Sequence, residues 1–170
     1  ITLLYSITTS RNAWFKGFSL SWMMGKSLKN SVVGIVGMGN IGLAVLKRLK
    51  GFEVGQFLYT ARSIKAQADK LGAIFKPFEE LLKLSDFIIV CCSLNSSTKH
   101  LFNSTAFSLM KNTCMFINTS RGDVVDQAAL VDALRTHQIE AAGLDVMTPE
   151  PIPLDDPLLK LDNVGEFVVF

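Results

Sequence analysis

The chain has 170 residues, about half of them hydrophobic (49%), and a formal net charge of +2. Length and composition predict one compact domain that buries roughly 70% of its unfolded surface. Lys and Arg are spread along the chain, so no footprint for nucleic acid is expected, and no apolar run reaches the ~20 residues of a membrane span.

The first residue is Ile rather than Met, so the chain reads as a fragment or a processed product. Its opening residues lack the basic region and small-residue cleavage site of a signal peptide. Apolar groups at Ile1, Leu4, Tyr5 and Ile7 predict a helix over residues 1–14. That helix either faces the core or forms a dimer contact. Residues 15–30, with Gly17, Gly25 and several serines, read as irregular connection. Residues 1–30 are therefore taken as an N-terminal helix and connection, and 31–170 as the main domain.

The organising stretch comes next. A β-branched run from Val32 to Val36 enters Gly37-Met38-Gly39-Asn40-Ile41-Gly42, and Leu43 to Lys50 leaves it with helical character. In such a Gly-x-Gly-x-x-Gly turn, Gly37 permits the tight bend, Gly39 admits a pyrophosphate, and Gly42 lets helix pack on strand. The N–H groups of Asn40, Ile41 and Gly42 would face the phosphates at the positive end of the helix dipole. The plain alternative is an ordinary glycine-rich β–α turn. The strand before and the helix after favour the dinucleotide reading.

A second strand runs from Gly55 to Thr60. Near its end, about 20 residues on from the glycines, an acid normally holds the adenosine ribose hydroxyls. The chain instead reads Thr60-Ala61-Arg62-Ser63. Arg62 and Ser63 supply donors for a 2′-phosphate that an acid would repel, so NADP is expected over NAD. The alternative is that Arg62 is a solvated loop residue.

A helix near 66–71, a short strand at Ala73–Phe75 and a helix over Phe78–Leu84 follow. Asp86 to Cys92 is a continuous apolar run, as a strand buried on both faces should be. It ends in the polar loop Ser93–Thr98. Ser104 is expected to cap a helix from Thr105 to Met110. Cys114 to Asn118 is the next strand, and Asp126 caps a helix reaching about His137. Ala141 to Val146 is a strand, Pro157 to Leu161 a turn, and Val164 to Phe170 a last strand. Alternating strands and helices predict an α/β fold: a Rossmann-type, doubly wound parallel sheet with helices on both faces. The three cysteines, Cys91, Cys92 and Cys114, lack metal-ligand spacing, and no metal site is expected. Reduced, buried thiols point to a cytoplasmic protein.

Three ordered motifs make the reading specific. They are Val33 to Gly42, Ile117-Asn118-Thr119-Ser120-Arg121-Gly122-Asp123-Val124-Val125-Asp126, and Ala142-Gly143-Leu144-Asp145-Val146 with Glu150-Pro151. Together they resemble the D-isomer-specific 2-hydroxyacid dehydrogenase family, and most of all its glyoxylate reductase/hydroxypyruvate reductase branch. The resemblance implies an NAD(P)-dependent oxidoreductase acting on a small 2-keto or 2-hydroxy acid, with NADP expected from Arg62 and Ser63 and NAD the alternative. It implies that Arg121 holds the substrate carboxylate and carbonyl, and that Glu150 pairs with a catalytic histidine. Asp145 matches the acceptor for the nicotinamide carboxamide. Ser93, Thr119, Arg62 and Ser63 match further cofactor contacts, and the glycine turn including Met38 the pyrophosphate site.

The same resemblance implies a histidine beyond the last strand, a separate substrate domain and a homodimer. The chain stops where that histidine motif would begin, so the domain reads as truncated, without its substrate domain. His100 and His137 read as surface residues. These 170 residues are expected to bind cofactor better than they turn substrate over. A second reading is a catalytically inactive nucleotide-binding or interaction module, as in the family's NAD(H)-sensing corepressors.

Overall fold

The computed structural model describes residues 26–166. The expected helix over 1–14, most of the connection after it, and residues 167–170 of the last strand lie outside them. Seven strands form one parallel sheet: β1 (Val32–Val36), β2 (Gln56–Thr60), β3 (Ala73–Phe75), β4 (Phe87–Val90), β5 (Met115–Asn118), β6 (Ala141–Leu144) and β7 (Val164–Glu166). Their spatial order is β3-β2-β1-β4-β5-β6-β7, so the sheet grows outward in both directions from β1 and β4. The junction of those two strands is the switch point, where α/β sheets open a crevice at their carboxyl ends.

The strand sequences explain the two-sided packing, because successive side chains point to opposite faces. Val33, Ile35, Phe57, Tyr59, Phe87, Ile89, Met115 and Ile117 face one core. Above it lie α1 (Asn40–Leu49), through Leu46, and α2 (Ala66–Lys70), through Ala68. Leu58, Ile88, Val90 and Phe116 face the other core. There they meet α3 (Phe78–Leu84), α4 (Ser104–Ser108) and α5 (Gln127–Arg135). Phe116 anchors that side, edge-on to Phe102 and Phe107 at 4.9 and 5.4 Å between ring centroids. The expected helices on both faces are present. None of the described helices is long and apolar enough to cross a membrane.

Several boundaries shift for local reasons. Helix α1 starts at Asn40 rather than Leu43, because Gly39 is its N-cap and the first helical hydrogen bond runs from Leu43 N–H to Gly39 O at 2.9 Å. Asn103, not Ser104, caps α4: its side-chain oxygen accepts from Ala106 N–H at 3.0 Å, and the helix closes at Ser108. Both residue types cap well, and the extended backbone at Asn103 decides between them. Asp126 caps α5 as expected, through Ala129 N–H. Strands β4 and β6 end at Val90 and Leu144, short of their expected ends, because pairing stops where the chain turns into the carboxyl-end loops, whereas β5 loses only Cys114 at its start.

Asp86, just before β4, is a tie rod rather than a strand residue. Its two oxygens accept from Val32 N–H and Lys111 Nζ, each at 2.9 Å. Burial pushes its pKa up, but the Val32 amide and the Lys111 ammonium outweigh that and hold it below the ordinary value. A depressed carboxyl stabilises the fold fully above the ordinary aspartate value and loses that contribution as pH falls through its folded value. Asp86→Asn is therefore expected to lower the urea midpoint near neutrality. The gap from wild type is expected to narrow below about pH 4. A gap constant over that range would contradict this role.

Candidate functional site

The glycine turn leaves β1 with Gly37 at φ +99°, a region that L side chains rarely occupy. A Cβ there would sit 2.5 Å from Cys92 N, so the turn is pressed against the chain leaving β4. A Cβ on Gly42 would lie 2.2 Å from Gly37 O, which seats α1 directly on the turn. Gly39 differs: a Cβ added there meets nothing within 4 Å. The space over Gly39 is open, and the N–H groups of Asn40, Ile41 and Gly42 precede the first helical hydrogen bond of a ten-residue helix. Such an end binds anions well. Met38 lines the cleft floor while being almost wholly buried in the core beneath the turn.

A cleft of about 910 Å3 opens over the β1–β4 junction. Gly37, Met38 and Gly39 form its floor, Ala61, Arg62, Ser63 and Lys65 one wall, and Cys91 to Asn95 the other. Among the described lining residues, the charged ones are Arg62 and Lys65, both cationic, and none is acidic. Lys65 is a cleft residue that sequence reasoning missed, being three residues from Arg62 in an unpatterned loop. Thr60 O accepts from Gly37 N–H at 2.9 Å, which ties the Arg62 loop to the glycine turn. The Ser93 loop is held internally. Asn95 Oδ1 accepts from Ser97 N–H at 2.9 Å, and Thr98 Oγ1 donates to Ser93 O at 2.7 Å.

Cys91 and Cys92 follow β4 and pack toward opposite cores, as adjacent residues should. They are half-buried at the cleft, whereas Cys114 is fully buried. Burial pushes the Cys91 thiol up to about 11 and that of Cys114 up to about 12. These are poor nucleophiles near neutral pH.

Thr119, Arg121, Asp145 and Glu150 lie outside that cleft lining, on the next two carboxyl-end loops. Asp145 N–H donates to Asn118 O at 3.0 Å, which sets Asp145 beside the end of β5. Asn118 is almost completely buried (1% exposed) and rivets the loop that carries Arg121. Its Nδ2 donates to Arg121 O at 3.0 Å, and its Oδ1 accepts from Ser120 N–H at 3.0 Å and Ser120 Oγ at 2.9 Å. A Cβ on Gly122 would fall 2.1 Å from Met147 O, so the Arg121 loop touches the segment leading to Glu150. Gln127 braces that segment: its Oε1 accepts from Thr148 N–H at 2.9 Å, and its Nε2 donates to Asp156 Oδ2 at 2.9 Å. Arg121, Thr119 and Glu150 are exposed, and Asp145 is half-buried. His100 and His137 are exposed on the surface, as read from the sequence.

The geometry therefore offers a phosphate-sized opening at a helix start, a cationic wall and a row of polar loops. These features fit a dinucleotide. Comparison with known proteins agrees. The family described as D-isomer specific 2-hydroxyacid dehydrogenase, NAD binding domain, matches residues 4–166. The chain is 50% identical to a glyoxylate reductase/hydroxypyruvate reductase of Mus musculus over 159 residues, 93% of this chain and 48% of that protein. A glyoxylate reductase of Pyrococcus furiosus is 44% identical over 144 residues, 84% of this chain and 42% of that one. In three dimensions the chain is similar to a D-lactate dehydrogenase crystallised with NAD+ from Lactobacillus jensenii. The TM-score is 0.84 at 28% identity, covering 96% of this chain and 53% of that one. The chain thus spans about half the length of the relatives it matches.

Proposed function

The chain belongs to the NAD-binding-domain family of the D-isomer-specific 2-hydroxyacid dehydrogenases, and from that premise we propose that it binds NADPH in preference to NADH for the reduction of glyoxylate, hydroxypyruvate or a similar 2-keto acid. The observation that carries the cofactor preference is the cleft wall. Arg62, Ser63 and Lys65 line it with no acid among the described lining residues. A carboxylate would accept from ribose hydroxyls and repel a 2′-phosphate, whereas the Arg62 fork and the Lys65 ammonium attract one.

The amides of Asn40, Ile41 and Gly42 would hold the pyrophosphate, with Gly39 leaving room for it. Ser93 and Thr119 contribute hydroxyls along the cofactor, and Asp145 accepts from the carboxamide and so fixes which ring face points at substrate. When bound, the nicotinamide supplies the hydride that reduces C2 of the keto acid. Arg121 grips the substrate carboxylate with its planar fork and polarises the carbonyl. In the complete enzyme Glu150 would pair with a catalytic histidine, which is neither His100 nor His137, and raise its pKa so that it can donate a proton. A cytoplasmic setting and a homodimer belong to the same reading.

Calorimetric titration of the 170-residue chain with NADPH and NADH tests the preference. The Kd for NADPH is expected to be at least about tenfold lower, with Arg62→Ala closing most of that gap. Equal or tighter binding of NADH would overturn the NADPH assignment.

A further inference from the structure

The loop that carries Arg62 and Ser63 is short, exposed and anchored at both ends. At its start, Thr60 O is bound by Gly37 N–H. At its end, Lys65 N–H donates to the Tyr59 hydroxyl at 2.8 Å, and that hydroxyl donates to Asp69 Oδ1 at 2.8 Å. Tyr59 has no solvent exposure (0%), and its ring lies edge-on to Phe75 at 5.6 Å between centroids. The oxygen is therefore held by the core, not by the loop. Lys65 is the N-cap of α2 and makes no side-chain cap of its own. Its carbonyl accepts from Ala68 and Asp69 N–H at 2.8 and 3.1 Å. One buried phenol thus joins the loop end, the start of α2 and the side chain of Asp69.

We propose that Tyr59 is a positioning residue for dinucleotide selectivity: its buried hydroxyl fixes the Ala61–Lys65 loop so that Arg62 and Ser63 are already placed for a 2′-phosphate. The inference rests on the NADPH reading above. Without the tether, these exposed side chains and their backbone would have to be ordered at the moment of binding, and that entropic cost would fall on the phosphate contacts. NADH carries only a neutral hydroxyl in place of the 2′-phosphate, so its affinity draws much less on the loop. Burial raises the phenol's pKa, so the proton stays on the oxygen and the donation to Asp69 persists in the neutral range.

The test compares NADPH and NADH binding by calorimetry for wild type and Tyr59→Phe, well below both unfolding midpoints. Phenylalanine keeps the ring and its packing on Phe75 and removes only the hydroxyl. The Kd for NADPH is expected to rise about five- to tenfold while that for NADH moves less than about twofold. A change that is equal for both cofactors, or no change, overturns the inference, since a purely structural role leaves the ratio alone. If Tyr59→Phe does not fold, amide exchange of the wild type decides. A Lys65 N–H that is protected, and slowed further by NADPH but not by NADH, supports the tether. Exchange at the rate of an unstructured amide overturns it. A wild type without cofactor preference removes the NADPH reading and this inference together. A preference that Tyr59→Phe leaves intact removes this inference alone.

Discussion

Gly39→Leu is expected to leave the domain folded and to weaken dinucleotide binding about a hundredfold, or ~2.8 kcal/mol. Gly39 lies at φ −88° and ψ −159°, extended backbone that any residue adopts. A side chain would enter open space, since its Cβ meets nothing within 4 Å. The fold therefore loses only the difference between glycine and leucine as an N-cap, about 1 kcal/mol or less. The ligand loses the volume over the helix start, where its phosphates would approach the free amides. Gly37→Ala separates the two roles of glycine in the same turn. There the backbone is at φ +99°, and the new Cβ would lie 2.5 Å from Cys92 N. Strain of about 1–3 kcal/mol plus displacement of the β4 exit should lower the melting temperature clearly. Thermal melts and calorimetry on both variants check the pair. Gly39→Leu binding NADPH as tightly as wild type would exclude the opening as the pyrophosphate site.

The contrast between those glycines also shows how far the sequence could be read. The motif is visible in a string of letters because a tight turn, an open floor and a close helix each demand glycine at a fixed spacing. The sheet was legible for a similar reason: strands buried on both faces read as unbroken apolar runs, such as Phe87-Ile88-Ile89-Val90. Arg62 and Ser63 could be placed because the absence of an acid at a fixed offset is itself a pattern.

Other features depend on contacts that no local pattern encodes. Met38 sits inside the motif, yet its side chain is spent on the core. Tyr59 reads as one more aromatic in an apolar strand, and its role is set by Lys65 and Asp69, brought to it by the turn into α2. Asn118 and Gln127 look like a strand end and a helix start. The bonds of Asn118 are local, to Ser120 and Arg121, whereas Gln127 becomes a brace only because the chain returns Thr148 and Asp156 to it. Ser104 and Asn103 are both good caps one residue apart, and the backbone chose the one that sequence alone did not favour.

Those braces lead to the second large effect, at Arg121. Its backbone is fixed from two sides, by Asn118 Nδ2 on its carbonyl and by the contact of Gly122 with Met147. Its side chain is exposed, and its described hydrogen bond is a local one, Nη1 to Ser120 O at 2.6 Å. An arginine whose loop is braced and whose exposed guanidinium keeps further donors beyond that one bond is well arranged to grip an incoming carboxylate, because little of the loop has to be ordered on binding. In a chain that also supplies a substrate domain, such as a fusion to the complementary half of a relative, Arg121→Ala is expected to lower kcat/KM for glyoxylate by about 10²–10³. The Kd for NADPH should stay within about twofold, since the proposed role of Arg121 is toward the substrate and not the dinucleotide. Arg121→Lys should recover only part of the loss, because a point charge cannot match both carboxylate oxygens in one plane. An unchanged kcat/KM in Arg121→Ala would remove Arg121 from the substrate site. Full recovery by lysine would mean that charge alone, rather than the planar fork, holds the substrate.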